Sequence, residues 1–213
     1  MHTLLANLSA FDPRNHDVAE AVMNASVSAT LWKASTGDLT GEACHGGVYA
    51  PLASTDDPRA EGEELAEWFN PKETICVACN GFGMGYHVEA AARKLGRYGF
   101  VLCYEPDMGL LRAVLSEVDY TELFGRLNVI LVPAADMGTI GTKCNGLDGF
   151  LYEGLRLMQH PEAKARLGDT FFEAFTEYHF ATRSDIATTI SNNRVSLRNE
   201  LRNLLRYAEC PGI

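Results

Sequence analysis

The stretch that decides the fold runs from Thr74 to Asp107, TICVACNGFGMGYHVEAAARKLGRYGFVLCYEPD. Residues 74–79 form a short apolar run of the kind that makes a strand buried on both faces. The run ends in a glycine-rich turn at residues 81–85, and Val88 to Leu95 then reads as a helix. Phe100 to Tyr104 is a second strand, ending in Glu105-Pro106-Asp107. Outward from there, Met108 to Val118 reads as a helix capped by Asp107, and Asp119 with Glu122 has the spacing of a capping box. Asn128 to Val132 is a third strand, ending near Asp136. This alternation over residues 74–136 predicts half of a doubly wound parallel sheet with right-handed crossovers.

Upstream, Asp12 and Pro13 open a helix that carries Val18, Ala19, Val22 and Met23. Thr30 to Ala34 and Val48 to Leu52 read as short strands of a hairpin. Asp57-Pro58 starts a helix that Asn70-Pro71 closes. Downstream, residues 137–149 read as loop, with Gly138, Gly141, Gly146 and Gly149, and the remainder as helix. Its last helix, from about Asp185 to Ala208, carries Ile190, Leu197, Leu201 and Leu204 on one stripe. The expected class is α/β: a Rossmann-like partial parallel sheet (72–140) with an N-terminal helix/hairpin lead-in (1–71) and a helical C-terminal segment (141–213).

The net charge is −10, unevenly spread: residues 1–70 hold 3 basic and 11 acidic side chains, residues 141–213 hold 9 of each. An acidic N-terminal third repels phosphate and argues against a nucleic-acid surface. No apolar run is long enough for a membrane span, and no secretory signal opens the chain. The six cysteines therefore read as reduced thiols. Cys76 and Cys79 form a CxxC pair, but on a strand, residues three apart point to opposite faces, so buried structural thiols are expected.

A strand feeding a helix through glycines exposes backbone N–H groups at the positive end of the helix dipole, which suits an anionic or strongly polar ligand. Gly81, Gly83 and Gly85 have x-separated spacing. The dinucleotide fingerprint wants its third glycine where Tyr86 stands, so the spacing is closer to that of S-adenosylmethionine-dependent methyltransferases. Glu105, 20 residues past Gly85 at the end of the second strand, is placed to accept hydrogen bonds from ribose hydroxyls. Asp136 ends the third strand on the same edge. Gly81, Gly83, Gly85, Glu105 and Asp136 are thus the candidate cofactor-binding residues, for a nucleotide-type ligand of unknown identity. On this reading Gly83→Val abolishes nucleotide binding and leaves the protein folded. Glycine turns also form where strand and helix pack closely, and strand-end acids also cap helices; both readings stay open. Asp107 already has a helix to cap, which leaves Glu105 freer. His87 either touches a ligand or caps its helix. His160 and His179 lack metal-ligand spacing, and no catalytic triad or nucleophile elbow appears. Arg194, Arg198, Arg202 and Arg206 recur every fourth residue, as a solvated face, an anion site or a docking face for a neighbouring domain.

With these residues assembled, the chain resembles the N-terminal domain of the motility-associated factor (Maf) glycosyltransferases, within the MptE-like family. The resemblance rests on NLSAF at 7–11, PLASTDDPRAEGEELAEWF at 51–69, GFGMGYHVE at 81–89, YEPD at 104–107 and NNRVSLRNELRNLL at 192–205. It implies a bacterial, cytoplasmic protein whose family transfers nonulosonic (sialic-like) sugars from a nucleotide-activated donor to Ser or Thr of flagellin. It also implies that the catalytic domain follows the last helix, so that no catalytic residue carries over to this chain. The implied partners are that downstream domain and flagellin, with neither nucleic acid nor membrane. The alternative is a Rossmann-type methyltransferase using S-adenosylmethionine, whose sheet needs about four more strands than residues 137–213 offer. A nicotinamide oxidoreductase is disfavoured by Tyr86.

Overall fold

The structure of the protein, a computed structural model, describes residues 2–126 and 128–208; the C-terminal Pro211-Gly212-Ile213 and the side chain of Arg206 lie outside the described residues. The chain opens with α1 (His2–Ser9). Asp12 accepts a hydrogen bond from the Arg14 N–H at 2.9 Å and starts one tight turn ahead of α2 (His16–Asn24). β1 (Ala29–Lys33), β2 (Leu39–His45) and β3 (Val48–Pro51) form an antiparallel sheet in that order. The hairpin is therefore three-stranded. Its middle strand, LTGEACH, has little apolar signal, and its Gly41 sits where a Cβ would lie 2.5 Å from the Thr30 carbonyl oxygen. Asp57 caps α3 (Pro58–Glu67) by accepting from the Ala60 N–H at 2.9 Å.

The central unit continues through β4 (Cys76–Asn80), α4 (Tyr86–Leu95), β5 (Phe100–Tyr104), α5 (Met108–Glu117), α6 (Thr121–Arg126) and β6 (Val129–Val132). It is followed by α7 (Met137–Cys144), α8 (Asp148–Glu153), β7 (Leu155–Gln159), α9 (Pro161–Leu167) and α10 (Thr170–Ala208). The sheet is parallel, in the order β6-β5-β4-β7. The predicted α/β class holds, with two local differences. Residues 137–149 hold α7 and the first two residues of α8 instead of a loop, since Asp136 caps α7 and glycine is tolerated within a helix at a modest cost. Inside the expected helical segment lies a fourth parallel strand, β7. Only Met158 of its five residues is fully buried, so LRLMQ shows none of the apolar run that marks β4 and β5.

β4 is paired on both sides and every residue of it is buried. Alternation sends Val77 and Cys79 into the layer with α4 and α5, and Cys76 and Ala78 into the layer with Ile140, Phe171 and Phe175. The CxxC cysteines do face opposite ways, and no disulfide joins the cysteines among the described residues.

Buried asparagines tie the N-terminal helices to the end of α5 and to the edge of the sheet. Asn7 donates to the Leu115 and Val118 carbonyls at 2.8 and 2.7 Å and accepts from the Tyr120 N–H at 2.7 Å. Asn15 donates to the Val129 carbonyl and accepts from the Leu131 N–H, both at 2.8 Å. It thereby replaces a neighbouring strand along the open edge of β6. α10, at 39 residues about 58 Å long, is anchored by Phe171 and Phe175 and then runs clear of the body; Ile190, Leu197, Leu201 and Leu204 are exposed. No helix among the described residues is long and apolar enough to cross a membrane.

Candidate functional site

β4 delivers the chain to the carboxyl edge of the sheet, and Gly81, Gly83 and Gly85 all take positive φ (87°, 50° and 88°), the left-handed backbone that favours glycine. What lies above them is protein. A Cβ on Gly81 would stand 2.4 Å from the Cβ of Ala163 in α9, and one on Gly83 2.6 Å from the Leu52 carbonyl oxygen. Met84 donates its N–H to that same carbonyl at 3.3 Å. A Cβ on Gly85 would meet the Phe82 ring at 2.6 Å. The residue after β3 and the helix after β7 thus roof the turn. The space left between Pro51, Leu52, Gly83, His87, His160 and Arg166 is about 10 Å³, the threshold for one water.

Glu105 is buried, and its carboxylate accepts four hydrogen bonds. Two come from backbone N–H groups, of Phe82 at 3.1 Å and Asp107 at 3.2 Å. Two come from the Arg166 guanidinium, at 2.9 and 2.5 Å, in the forked geometry that matches a carboxylate. An ionised carboxylate has about four lone-pair sites, so none remains for a ribose. The expectation that Asp107 leaves Glu105 freer fails for this reason: Asp107 does cap α5, through Leu110 N–H at 2.9 Å, but Glu105 is engaged elsewhere. Asp136 is exposed and caps α7, accepting from the Thr139 N–H and hydroxyl at 2.9 and 2.8 Å. The fold brings the three glycines and Glu105 together and leaves Asp136 outside the cluster.

Beside them lies a buried polar chain that the sequence did not reveal. His87, in the first turn of α4, points back so that its Nε2 donates to the Gly81 carbonyl at 2.9 Å. Its ring centroid is 4.9 Å from that of His160, whose Nε2 stands 3.4 Å from Oε2 of Glu61. The Cys79 thiol donates to the same Gly81 carbonyl at 3.7 Å, and Cys103 is its partner in the β4–β5 register. Burial pushes the Cys79 thiol up, but the Cys103 hydrogen bond and the charge of His87 outweigh it and bring Cys79 down to about 5. Burial and the neighbouring Cys79 hold Cys103 well above its ordinary value. His87 is opposed by burial yet raised, held up by Cys79 and the Gly81 carbonyl. Burial works against Glu61 as well, but its bonds to His160 and the Ser54 N–H lower it overall. Nothing in the sequence signals Arg166 or His160 as partners, because each meets its carboxylate only through the tertiary fold. No group of three or more metal-ligating side chains converges among the described residues.

Larger hollows lie away from the turn: about 270 Å³ at the opposite edge, among Arg14, Phe100, Phe124, Asn128, Val129 and Leu147; about 280 Å³ between β1 and α5, among Ala29, Leu31, Leu39 and Ala113; and about 450 Å³ along α10, among Tyr178, Thr182, Ile186 and Ile190. The first two fall below the size of ordinary ligand pockets, which begin near about 300 Å³, and the third is an open groove on the helix.

The fold and site define a Rossmann-like α/β protein whose carboxyl edge is closed by its own side chains. No family model matches the chain, and no curated protein matches it. Among solved structures it matches a Maf glycosyltransferase from Magnetospirillum magneticum AMB-1, with a TM-score of 0.51 and 19% sequence identity. The match covers 81% of this chain and 35% of that one, so the chain spans about a third of that protein's length. At the level of fold, the chain is similar to part of a Maf glycosyltransferase, in line with the resemblance carried by its sequence.

Proposed function

We propose that this chain is the N-terminal, non-catalytic module of a Maf-like glycosyltransferase, the family that attaches nonulosonic sugars to Ser or Thr of flagellin. Its work on this reading is docking and assembly, in the bacterial cytoplasm where activated sugar donors are made. The observation that carries it is the saturation of Glu105 by Arg166 beneath a roofed glycine turn, at the place where open α/β sheets otherwise take ligands. The distal half of α10 supports the docking role: its exposed apolar stripe runs beside Arg194, Arg198 and Arg202, and the partner we assign to it is the downstream catalytic domain.

A thermal-shift panel with S-adenosylhomocysteine, NAD, CMP and a CMP-linked nonulosonic sugar tests the first half. A ligand at 100 times its dissociation constant adds about 2.7 kcal/mol, a shift of several degrees at this size. We expect no shift with any of the four. Stabilisation by S-adenosylhomocysteine alone would restore the methyltransferase reading, and stabilisation by the CMP compounds would move this chain to the donor side of the reaction. For the second half, the chain is co-expressed with the catalytic domain, and Leu197→Glu with Leu201→Glu is expected to abolish their co-elution. Unchanged co-elution would remove α10 from the interface.

A further inference from the structure

We propose that the free edge of β1 is a strand-addition site, which takes a short extended segment of a partner protein carrying two apolar residues and one acid. β1 is the end strand of the three-stranded sheet. The register decides which of its backbone groups point outward. Leu52 donates its N–H to the Gly41 carbonyl at 2.8 Å, so Gly41 is turned towards β3. Its neighbours Thr40 and Glu42 are therefore turned towards β1, where their partners are Trp32 and Thr30. The 2.8 Å bond from the Ala34 N–H to the Asp38 carbonyl continues the same alternation. The N–H and C=O groups of Ala29, Leu31 and Lys33 are left on the outer edge, and among the described residues no backbone hydrogen bond engages them there.

Beside that edge lies the hollow of about 280 Å³ between β1 and α5. Ala29, Leu31 and Leu39 share the inner face of the sheet and form one wall, with Ala113 of α5 opposite. Val27 and Glu117, both exposed, stand at its mouth. A strand added antiparallel to β1 places the residues opposite Leu31 and Ala29 on the same inner face, two positions apart. The wall selects apolar side chains at both positions, and Glu117 repels an acid from the hollow. Lys33 is exposed on the same face of β1 and enters no ion pair among the described residues. An acidic residue directly opposite it stabilises the pairing, since opposed charges of opposite sign favour a strand pair.

In this mode of recognition the main chain supplies affinity and alternate side chains supply specificity. The lysine on the edge discourages indiscriminate pairing while favouring the acidic partner. The edge is five residues long, well short of the about 20–30 residues a side that a stable protein interface uses. The occupant is therefore a short extended segment and not a second copy of this chain.

The test adds the peptide acetyl-TETLTVT-amide to the isotope-labelled full chain and follows amide hydrogen exchange by NMR. We expect the Leu31 and Lys33 amides to slow by about tenfold or more at saturation, while Thr30 and Trp32, already bonded to β2, do not change. Methylating the backbone nitrogen of the peptide's leucine removes the N–H that the Leu31 carbonyl accepts, and should abolish the effect with no change to the protein. Lys33→Glu should weaken binding of TETLTVT by about fivefold and reverse the preference to TKTLTVT. Unprotected Leu31 and Lys33 amides at millimolar peptide, equal binding of the methylated peptide, or an unchanged preference in Lys33→Glu would each overturn the site. So would a dimer in sedimentation whose Leu31 and Lys33 amides are protected without peptide, because the edge would then belong to a second copy.

Discussion

A buried carboxylate is stable only while its lone pairs are satisfied, and for Glu105 half of that satisfaction comes from Arg166, 61 residues away. Removing the arginine leaves an uncompensated charge in the interior, at a cost of about 3–5 kcal/mol. Arg166→Met should therefore lower the melting temperature by about 10 °C. Adding Glu105→Gln to it should cost much less than the sum of the single changes; strict additivity in the double-mutant cycle would show that the two do not share one interaction. The Cys79–His87 pair gives a second prediction. Cys79 lies at about 5 when folded against 9.0 ordinarily, so its contribution is present at high pH and fades as pH falls towards 5. His87 is raised above 6.5, so its contribution is present at low pH and fades as pH rises through the raised value. Above pH 6.5 the two slopes oppose, because folded and unfolded chains each hold one proton on the pair. Between pH 6.5 and 5 the unfolded chain holds two and the folded chain one, so stability drops, by about 2 kcal/mol over the window. Urea unfolding across that range should show the drop in the native protein and a flatter profile in His87→Asn; equal profiles would sink the ion pair. Sequence reading found Glu105 and the three glycines but not what they touch, because Arg166 and His160 are ordinary residues until α9 folds over the turn.

At the scale of elements, the glycine turn is better understood as a packing joint than as a cradle. The sequence-based expectation that Gly83→Val leaves a folded protein does not survive the 2.6 Å approach of the Leu52 carbonyl. Even Gly83→Ala, at a φ of 50°, should cost about 3 kcal/mol from left-handed backbone and overpacking together, read as a lower denaturation midpoint in urea. A midpoint unchanged within error would mean that β3 is free to withdraw. The elements that the sequence announced were those with a strong period or a cap: β4, β5, β6, and the helices begun by Asp57 and Asp107. β2 and β7 stayed hidden because each is only partly buried, so selection for apolar residues is weak along it. Glycines at 138 and 141 masked α7, whose Asp136 cap outweighed their poor propensity.

Over the whole molecule, closure of the sheet's carboxyl edge and exposure of α10 are the two features on which the proposed docking role rests. The charge division follows this plan. The acidic first third folds over and seals the sheet, while the arginines gather on the one helix that leaves the body. The chain shares its fold with about a third of a longer enzyme, and Leu197 and Leu201 are where that relationship is best tested.

The seals made by Asn7 and Asn15 carry one more implication, for how the chain is made. Their partners lie 108 to 116 residues further on. The ribosome therefore releases the sealing helices long before the carbonyls and amides they close. Until α5 has emerged the first two helices have no surface to settle on, and until Leu131 has emerged the margin that Asn15 closes does not yet exist. Such long-range closure slows folding and lengthens the interval in which β6, once made, is open to other chains. During synthesis, the N-terminus of this protein is first a waiting segment and only later a lock.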